Sequence, residues 1–365
     1  MDSIQVKTDD SDSAAVKPTN FQKKGICVTI DRNKSTFRIE SDSPDEFMRI
    51  IKKSEVSWIN FVVSDVSIDG EGVATSLGFS PGIVTTLLSS YQSNYEDRDS
   101  ELGIRVPAVS TEQLDVKVYP LIILIRRGLI LSIHESAITR LVHFSRYAET
   151  FMKKISSRKL WQDKMTLLLW RIIEENNAKN FDHLRSIEEH ADHLVKELMD
   201  PATPRELLGP HIYKMKHALI VYLDALWATL DVINTLRYGD AETVTDSPEL
   251  LNRISALYTD VTNQISLSEH MSEVLASGLE VLQSIYNNQL QILNNKLALV
   301  VTWLTVAGTA VLVPNTLATM FGVSAIGEHM DEFTILAILL GATVLSAIGS
   351  YWFIKHKRFV PQHVH

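Results

Sequence analysis

The chain has 365 residues, of which 44 are acidic and 35 basic, for a formal charge of −9. Such a surplus of acid argues against nucleic acid as the main partner. A single cysteine, Cys27, excludes an intramolecular disulfide framework and suits a reducing compartment. With neither a Walker-type phosphate loop nor a His-Glu-x2-His zinc motif in the sequence, no catalytic machinery and no cofactor are expected.

Residues 1–20 are polar, rich in Ser and Asp, and lack an apolar core, so they read as a disordered tail rather than a signal peptide. An α/β domain is expected over residues 21–136. Runs rich in β-branched and aromatic residues predict strands over 25–30, 35–40, 57–63 and 116–125. Residues 119–125 and 129–134 read as a β-hairpin turning at Arg126-Arg127-Gly128. Ser43, followed by Pro44 and Glu46, reads as an N-cap with a capping box, and Ser80-Pro81 opens another helix.

From about Ala137 the helical period takes over. Antiparallel helices are expected over residues 137–246, one spanning about 138–199 with a break near Ser156-Ser157 and one spanning 205–237. The first carries His183, Glu189, His190 and His193; one helical face there offers donors to a zinc ion, although such a run is more often a solvated face. Ser247-Pro248 starts a stalk helix, residues 247–296, that continues into the first of two uncharged runs. A helix of roughly 65 residues is ~100 Å long, too long for one copy to bury, which points to a homo-oligomer.

The uncharged runs, residues 297–322 and 333–354, each meet the ~20 residues needed to cross a bilayer. They read as transmembrane helices joined by an outer loop, 323–332, that has acid but no Lys or Arg. Tyr351, Trp352 and Phe353 form an aromatic belt, and a basic tail, 355–365, follows. Lys296 precedes the first span, so both termini are expected in the cytoplasm of a two-span protein of the cytoplasmic (inner) membrane. Residues 296–365 carry Lys296, Lys355, Lys357 and Arg358 against Glu328, Asp331 and Glu332, a net +1, which leaves −10 on residues 1–295. That acidic part suits cations. Asn288, Asn295, Thr302, Thr309 and Thr316 recur every seven residues as a polar stripe facing either protein or a water-filled lumen. The alternative is that the threonines bond back to their own helix and the asparagines set register.

The run from Val313 to Gly327 resembles the end of the first span in the CorA superfamily of divalent-cation channels, where Pro-x-Thr is followed by Tyr/Phe-Gly-Met-Asn. Pro314, Thr316, Phe321 and Gly322 match. The likeness extends to Trp58 in its strand, the Leu77-Gly-Phe-Ser-Pro81 helix entry, the hairpin ending at residues 129–135, the stalk, both spans and the basic tail. The departure is Gly322-Val323-Ser324 in place of Gly-Met-Asn, which puts a short hydroxyl where the family has a carboxamide.

The resemblance implies an α+β membrane protein with a CorA-like funnel, assembled as a homopentamer in lipid, that passes divalent cations (Mg²⁺ first, with Co²⁺, Ni²⁺ or Zn²⁺ as other cargoes) down their gradient. It implies pore-lining roles for Asn288, Asn295, Thr302, Thr309 and Thr316, apolar constrictions at Val313 and Met320, and an outer mouth at Phe321, Gly322, Val323 and Ser324. Glu328, Asp331 and Glu332 would form a cation-attracting ring, the other reading being ordinary loop solvation. Asp65, Asp69, Glu71, Asp260, Glu269 and Glu273 are the candidate carboxylates for regulatory metal, which makes divalent ions both cargo and regulatory ligand. Two other readings stand beside this: a membrane-anchored regulator that no longer conducts, and a proton-coupled zinc transporter.

Overall fold

Continuous burial of side chains on both faces of the central strands of a sheet decides the first half of the chain. A computed structural model describes residues 24–33, 35–89, 94–155, 159–199, 205–238, 241, 243–322 and 331–356. The tail over 1–20, the break at Ser156-Ser157, Val323, Ser324, Glu328 and the basic tail from Lys357 lie outside those residues. The chain divides into two compact units, residues 1–276 and 277–365.

Seven strands, β1 (Lys24–Asp31), β2 (Thr36–Ser41), β3 (Ser54–Val63), β4 (Tyr95–Arg98), β5 (Glu101–Glu112), β6 (Asp115–Arg126) and β7 (Leu129–Glu135), form one sheet in the order β2-β1-β3-β7-β6-β5-β4. Only β3 and β7 run parallel; the other pairs are antiparallel. The predicted hairpin is β6–β7, with Arg126 opposite Leu129. Gly128 turns it at φ +78, where a Cβ would sit 3.0 Å from the Glu55 carbonyl oxygen, so glycine is required twice over.

Because the strand period is two, Ile59, Phe61 and Val63 of β3 and Leu129, Leu131 and Ile133 of β7 share one face. They bury against α1 (Pro44–Ile51), α2 (Val66–Ser76) and α3 (Ile83–Ser89) in a core that includes Phe47, Leu77, Val84 and the thiol Cys27. Burial pushes the Cys27 pKa up to about 12. At Gly25 an added Cβ would lie 2.6 Å from the Phe47 ring, so that ring packs directly on bare backbone. Each such buried large apolar side chain stabilises the domain by roughly 1.5–3 kcal/mol.

The opposite face holds Trp58, whose ring lies 4.8 Å from that of Phe144 of α4 (Thr139–Lys153), tilted by 34°. It also holds a buried polar chain. The Trp58 indole donates to Ser132 Oγ at 3.0 Å, Ser132 donates to Asn60 Oδ1 at 2.7 Å, and His134 Nε2 lies 3.0 Å from the same oxygen. His134 is fully buried, and desolvation lowers its pKa to about 4. A folded pKa below the unfolded 6.5 means the unfolded chain binds the extra proton, so His134 stabilises the fold above about pH 6.5 and that contribution is lost as pH falls towards 4. His134→Gln should flatten this part of the pH–stability curve, measured by thermal melts between pH 4 and 7.

The expected helix over 138–199 is three helices: α4, α5 (Trp161–Asn177) and α6 (Asn180–Met199). The second break falls in Asn176-Asn177-Ala178-Lys179-Asn180, where asparagine side chains compete with helical backbone bonds; Asn180 Nδ2 donates to Asn177 Oδ1 and to Gln264 Oε1, both at 3.1 Å. Strands β4 and β5 were not expected. At the start of α1 the Ser43 side chain makes no capping bond, so the capping box is not formed, and Pro44, Asp45 and Glu46 in the first turn serve the helix dipole instead. α3 begins at Ile83, past Ser80-Pro81.

Next come α7 (Arg205–Arg237) and α8 (Pro248–Phe321). Leu250, Ile254, Leu257, Val261, Ile265, Met271 and Leu275 of α8 are buried at intervals of three, four or six residues, forming one apolar seam. Arg253 lies over the Trp170 ring and Arg237 over Tyr258. In α5, Lys164 is almost completely buried and bonds Glu55 at 2.5 Å. Glu55 keeps a third of its exposure, so Lys164→Met should change stability by less than about 1 kcal/mol, whereas Glu55→Gln strands a buried ammonium and should cost about 3 kcal/mol in denaturation of the full chain in detergent.

Candidate transport site in the C-terminal helices

Among the described residues three helices are long and apolar enough to cross a membrane: part of α7 (Leu208–Arg237), α8, and α9 (Glu332–His356). In the most apolar window of α7 half the residues are buried, and α7 packs on β5 and β6, so it is an interior helix. The corresponding windows of α8 and α9 have no buried residue. From Gln283 to Gly322 α8 buries nothing, and Leu290, Leu293, Leu297, Val301, Leu304 and Leu312 all stand exposed. Lipid or further protein must cover them.

Every threonine hydroxyl of this stretch is already bonded. Thr302 donates to the Ala298 carbonyl at 2.7 Å, Thr305 to Val301 at 2.9 Å, Thr316 to Leu312 at 2.8 Å and Thr319 to Asn315 at 2.7 Å. This back-bonding is the alternative noted for the stripe. Thr309 differs. Besides the Thr305 carbonyl, its hydroxyl meets Ser350 Oγ of α9 at 2.8 Å, and Ser346 Oγ donates to the Thr309 carbonyl at 2.9 Å. Around it Leu299, Thr302, Val306 and Ala310 are half-buried, so this flank of α8 is the one that meets α9. Asn288, Asn295, Val313, Thr316 and Met320 are exposed, and Phe321 is half-buried beside exposed Gly322. Replacing Ser346 and Ser350 together by Ala should weaken the α8–α9 pairing by roughly 0.6 kcal/mol per bond, read as earlier heat unfolding in micelles.

The sequence reading passed over Asn315. About 120° around α8 from Thr309 at 100° per residue, its side chain is exposed and has no hydrogen-bond partner among the described residues. A polar residue inside an uncharged run is itself the signal.

The regulatory candidates do not converge within the chain. Asp65 caps α2 by accepting from Ser67 N at 2.7 Å. The Glu71 carboxylate caps α3, accepting from Gly82 N at 2.5 Å and from Val84 N and Thr85 N at 3.1 Å. Asp260, Glu269 and Glu273 are exposed along α8. Among the described residues no three His, Cys, Asp or Glu side chains gather at metal-binding distance. On α6, His193 Nδ1 pairs with Glu197 at 3.3 Å, His190 Nδ1 with the Ser186 carbonyl at 2.6 Å, and Glu189 with Arg185 at 3.7 Å, as a solvated face would. Asp331 and Glu332 stand exposed at the start of α9.

Gly78-Phe79-Ser80-Pro81-Gly82 has the Gly-x-Ser-x-Gly spacing of a nucleophile elbow, a match the expectation of no catalytic motif overlooked. It joins α2 to α3 instead of following a strand. The Ser80 amide donates to Glu101, and no histidine is bonded to the Ser80 hydroxyl among the described residues.

A mixed-sheet domain, a helical layer, one long helix whose last part is apolar and a further apolar C-terminal helix make up the architecture. The family described as CorA-like Mg²⁺ transporter protein matches residues 53–356, and the chain belongs to that family. Its fold is similar to the complete structure of the CorA magnesium transporter from Methanocaldococcus jannaschii, with a TM-score of 0.64 at 18% identity over 91% of this chain and 97% of that one. The cytoplasmic domain of ZntB from Vibrio parahaemolyticus RIMD 2210633 is similar with a TM-score of 0.54 at 15% identity, over 72% of this chain and 98% of that domain. Full-length CmaX gives 0.52 at 12% identity, over 94% and 100%. These likenesses bear on the fold. No curated protein matches the sequence.

Proposed function

We propose that the chain assembles with copies of itself, as a homopentamer, into a passive channel for divalent cations in the cytoplasmic membrane, with Mg²⁺ as the first cargo to test and both termini in the cytoplasm. The observation that carries this reading is the bare length of α8 from Gln283 to Phe321, uncharged beyond Lys296, in a chain of the CorA-like family. That surface needs partners on more sides than α9 can cover.

In this arrangement Thr302, Thr309, Val313, Thr316 and Met320, all within about 40° of Thr302 around α8 at 100° per residue, line the path, with Asn288 and Asn295 at its cytoplasmic end. Thr309 borders the path where that flank meets α9, and Asn315, about 120° away, bonds a neighbouring copy. The threonine hydroxyls keep acceptor lone pairs for a hydrated ion even while they donate to the helix. Phe321, Gly322, Val323 and Ser324 form the outer mouth. Glu328, Asp331 and Glu332 of each copy draw cations to it. An inside-negative potential drives a 2+ ion inward at about 2.3 kcal/mol per charge per 100 mV.

Reconstituted into liposomes holding a metal-sensitive dye, the protein should show saturable uptake of Mg²⁺, Co²⁺, Ni²⁺ or Zn²⁺ that follows the imposed potential. Silence towards all four would leave the membrane-anchored regulator, and a flux that depends on a proton gradient would favour the coupled zinc transporter. Asp331→Asn with Glu332→Gln should lower uptake several-fold at low ionic strength, with the difference closing towards 1 M salt as the Debye length shrinks to about 3 Å.

A further inference from the structure

A partly open cavity of about 170 Å³ in the first unit is lined by basic and neutral polar groups together with Ala108, Val109, Ala137 and Ile138. Its walls come from Ser110 and Thr111 of β5, Tyr119 of β6, the first turn of α4, Asn176 near the end of α5, the Lys179 turn and His183 of α6. On a chain of net charge −9 this pocket gathers Arg140, Lys179 and His183 and no carboxylate.

None of the three basic side chains is neutralised. Among the described residues neither Arg140 nor Lys179 has an ion-pair or hydrogen-bond partner, and Arg140 Nε is buried with nothing to donate to. A buried guanidinium nitrogen without an acceptor costs free energy that a bound anion recovers. His183 Nδ1 lies 3.3 Å from the Tyr222 hydroxyl, which itself donates to Asn180 Oδ1, so Nε2 is the free ring atom. Its pKa is lowered by burial first and then by the positive charge of Lys179 and Arg140, with Asp182 on its own helix opposing them. Lys179 and Arg140 therefore act on one another's surroundings without an acid between them.

The backbone adds to this field. α4 begins at Thr139 after Ile138, which has no side-chain oxygen to cap it; the Ile138 and Thr139 amides donate to the Glu135 and Ala137 carbonyls, both at 3.1 Å, so α4 adds the Arg140 amide and the positive end of a 15-residue helix to this space. Asn176 spends its Nδ2 on the Pro107 carbonyl at 2.9 Å. Ser110, Thr111 and Tyr119 complete the lining. The volume is below the ~300 Å³ at which drug-sized pockets begin, which limits the occupant to a small ion or one end of a larger molecule.

We propose that this cavity is a binding site for a tetrahedral phosphate oxyanion, either inorganic phosphate or the phosphoryl end of a small phosphomonoester, held by Arg140 and Lys179 with the Arg140 amide and the Ser110 hydroxyl. Arg140 supplies the fork, Lys179 the point charge from the rim, and the Arg140 amide at the positive end of α4 meets a remaining oxygen. The site is independent of the conduction reading, because no residue of α8 or α9 takes part in it.

The test is isothermal titration of the full chain in detergent with inorganic phosphate and, separately, with glycerol phosphate, at constant ionic strength set by chloride. Saturable binding of one ion per chain is expected, weakened at least tenfold in Arg140→Gln and in Lys179→Gln, with circular dichroism unchanged. Equal affinity for the two probes marks the phosphoryl end as the ligand, and preference for inorganic phosphate marks the free ion. Lys179 is exposed, so its variant decides the matter even if Arg140→Gln misfolds. Absence of heat with both probes, unaltered binding in both variants, or one-for-one displacement by chloride would overturn the assignment.

Discussion

Hydrocarbon offers no hydrogen bonds, and that rule organises the second half of this protein. From Gln283 onward no described residue of α8 is buried and one flank meets α9, so each backbone group must be satisfied within its helix and each hydroxyl must find an acceptor close by. The threonines reach back to the carbonyl four residues earlier. Where a bond goes elsewhere, at Thr309, it ties the two helices together through Ser346 and Ser350. The same hydroxyls that make α8 tolerable in a membrane leave acceptor lone pairs facing outward, which is the minimal chemistry a path for hydrated ions needs.

Ahead of the membrane the problem is reversed, since polar groups must be kept dry. The sheet solves it by giving each face a distinct character. One face is aliphatic and aromatic around Phe47 and Phe61, whereas the other threads a polar chain from Trp58 to His134 between the strands and α4. Pro107 and Pro120, neither of which can donate, stand opposite each other on β5 and β6, so their missing donors fall on one rung of the ladder instead of two. The first 29 residues of α8 lie within this unit and carry its apolar seam; the remainder of the same helix belongs to the second.

Much of this organisation is legible in the residue order. Uncharged runs of more than 20 residues, the change from strand to helix period near Ala137, and the Gly128 turn each depend on neighbours in sequence, and each was found where expected. β4 and β5 escaped notice because their first residues, Glu96 to Glu101, are almost all charged and look like a loop until Leu102, Ile104 and Val106 are seen to be buried. Glu71 looked like a free carboxylate; its role as a cap for α3 depends on amides 11 to 14 residues away. The stripe was visible at its spacing of seven, but which helix flank meets α9 is a tertiary fact, and so were Thr309's second partner and the solitary carboxamide of Asn315.

The buried thiol of Cys27 has a practical corollary. With its pKa pushed up to about 12 and no surface exposed, the natural cysteine is chemically silent at neutral pH. Any cysteine introduced along α8 or α9 would be the sole reactive thiol of the chain. The water accessibility of the C-terminal helices can thus be mapped residue by residue with maleimide reagents, without first removing the native sulfur.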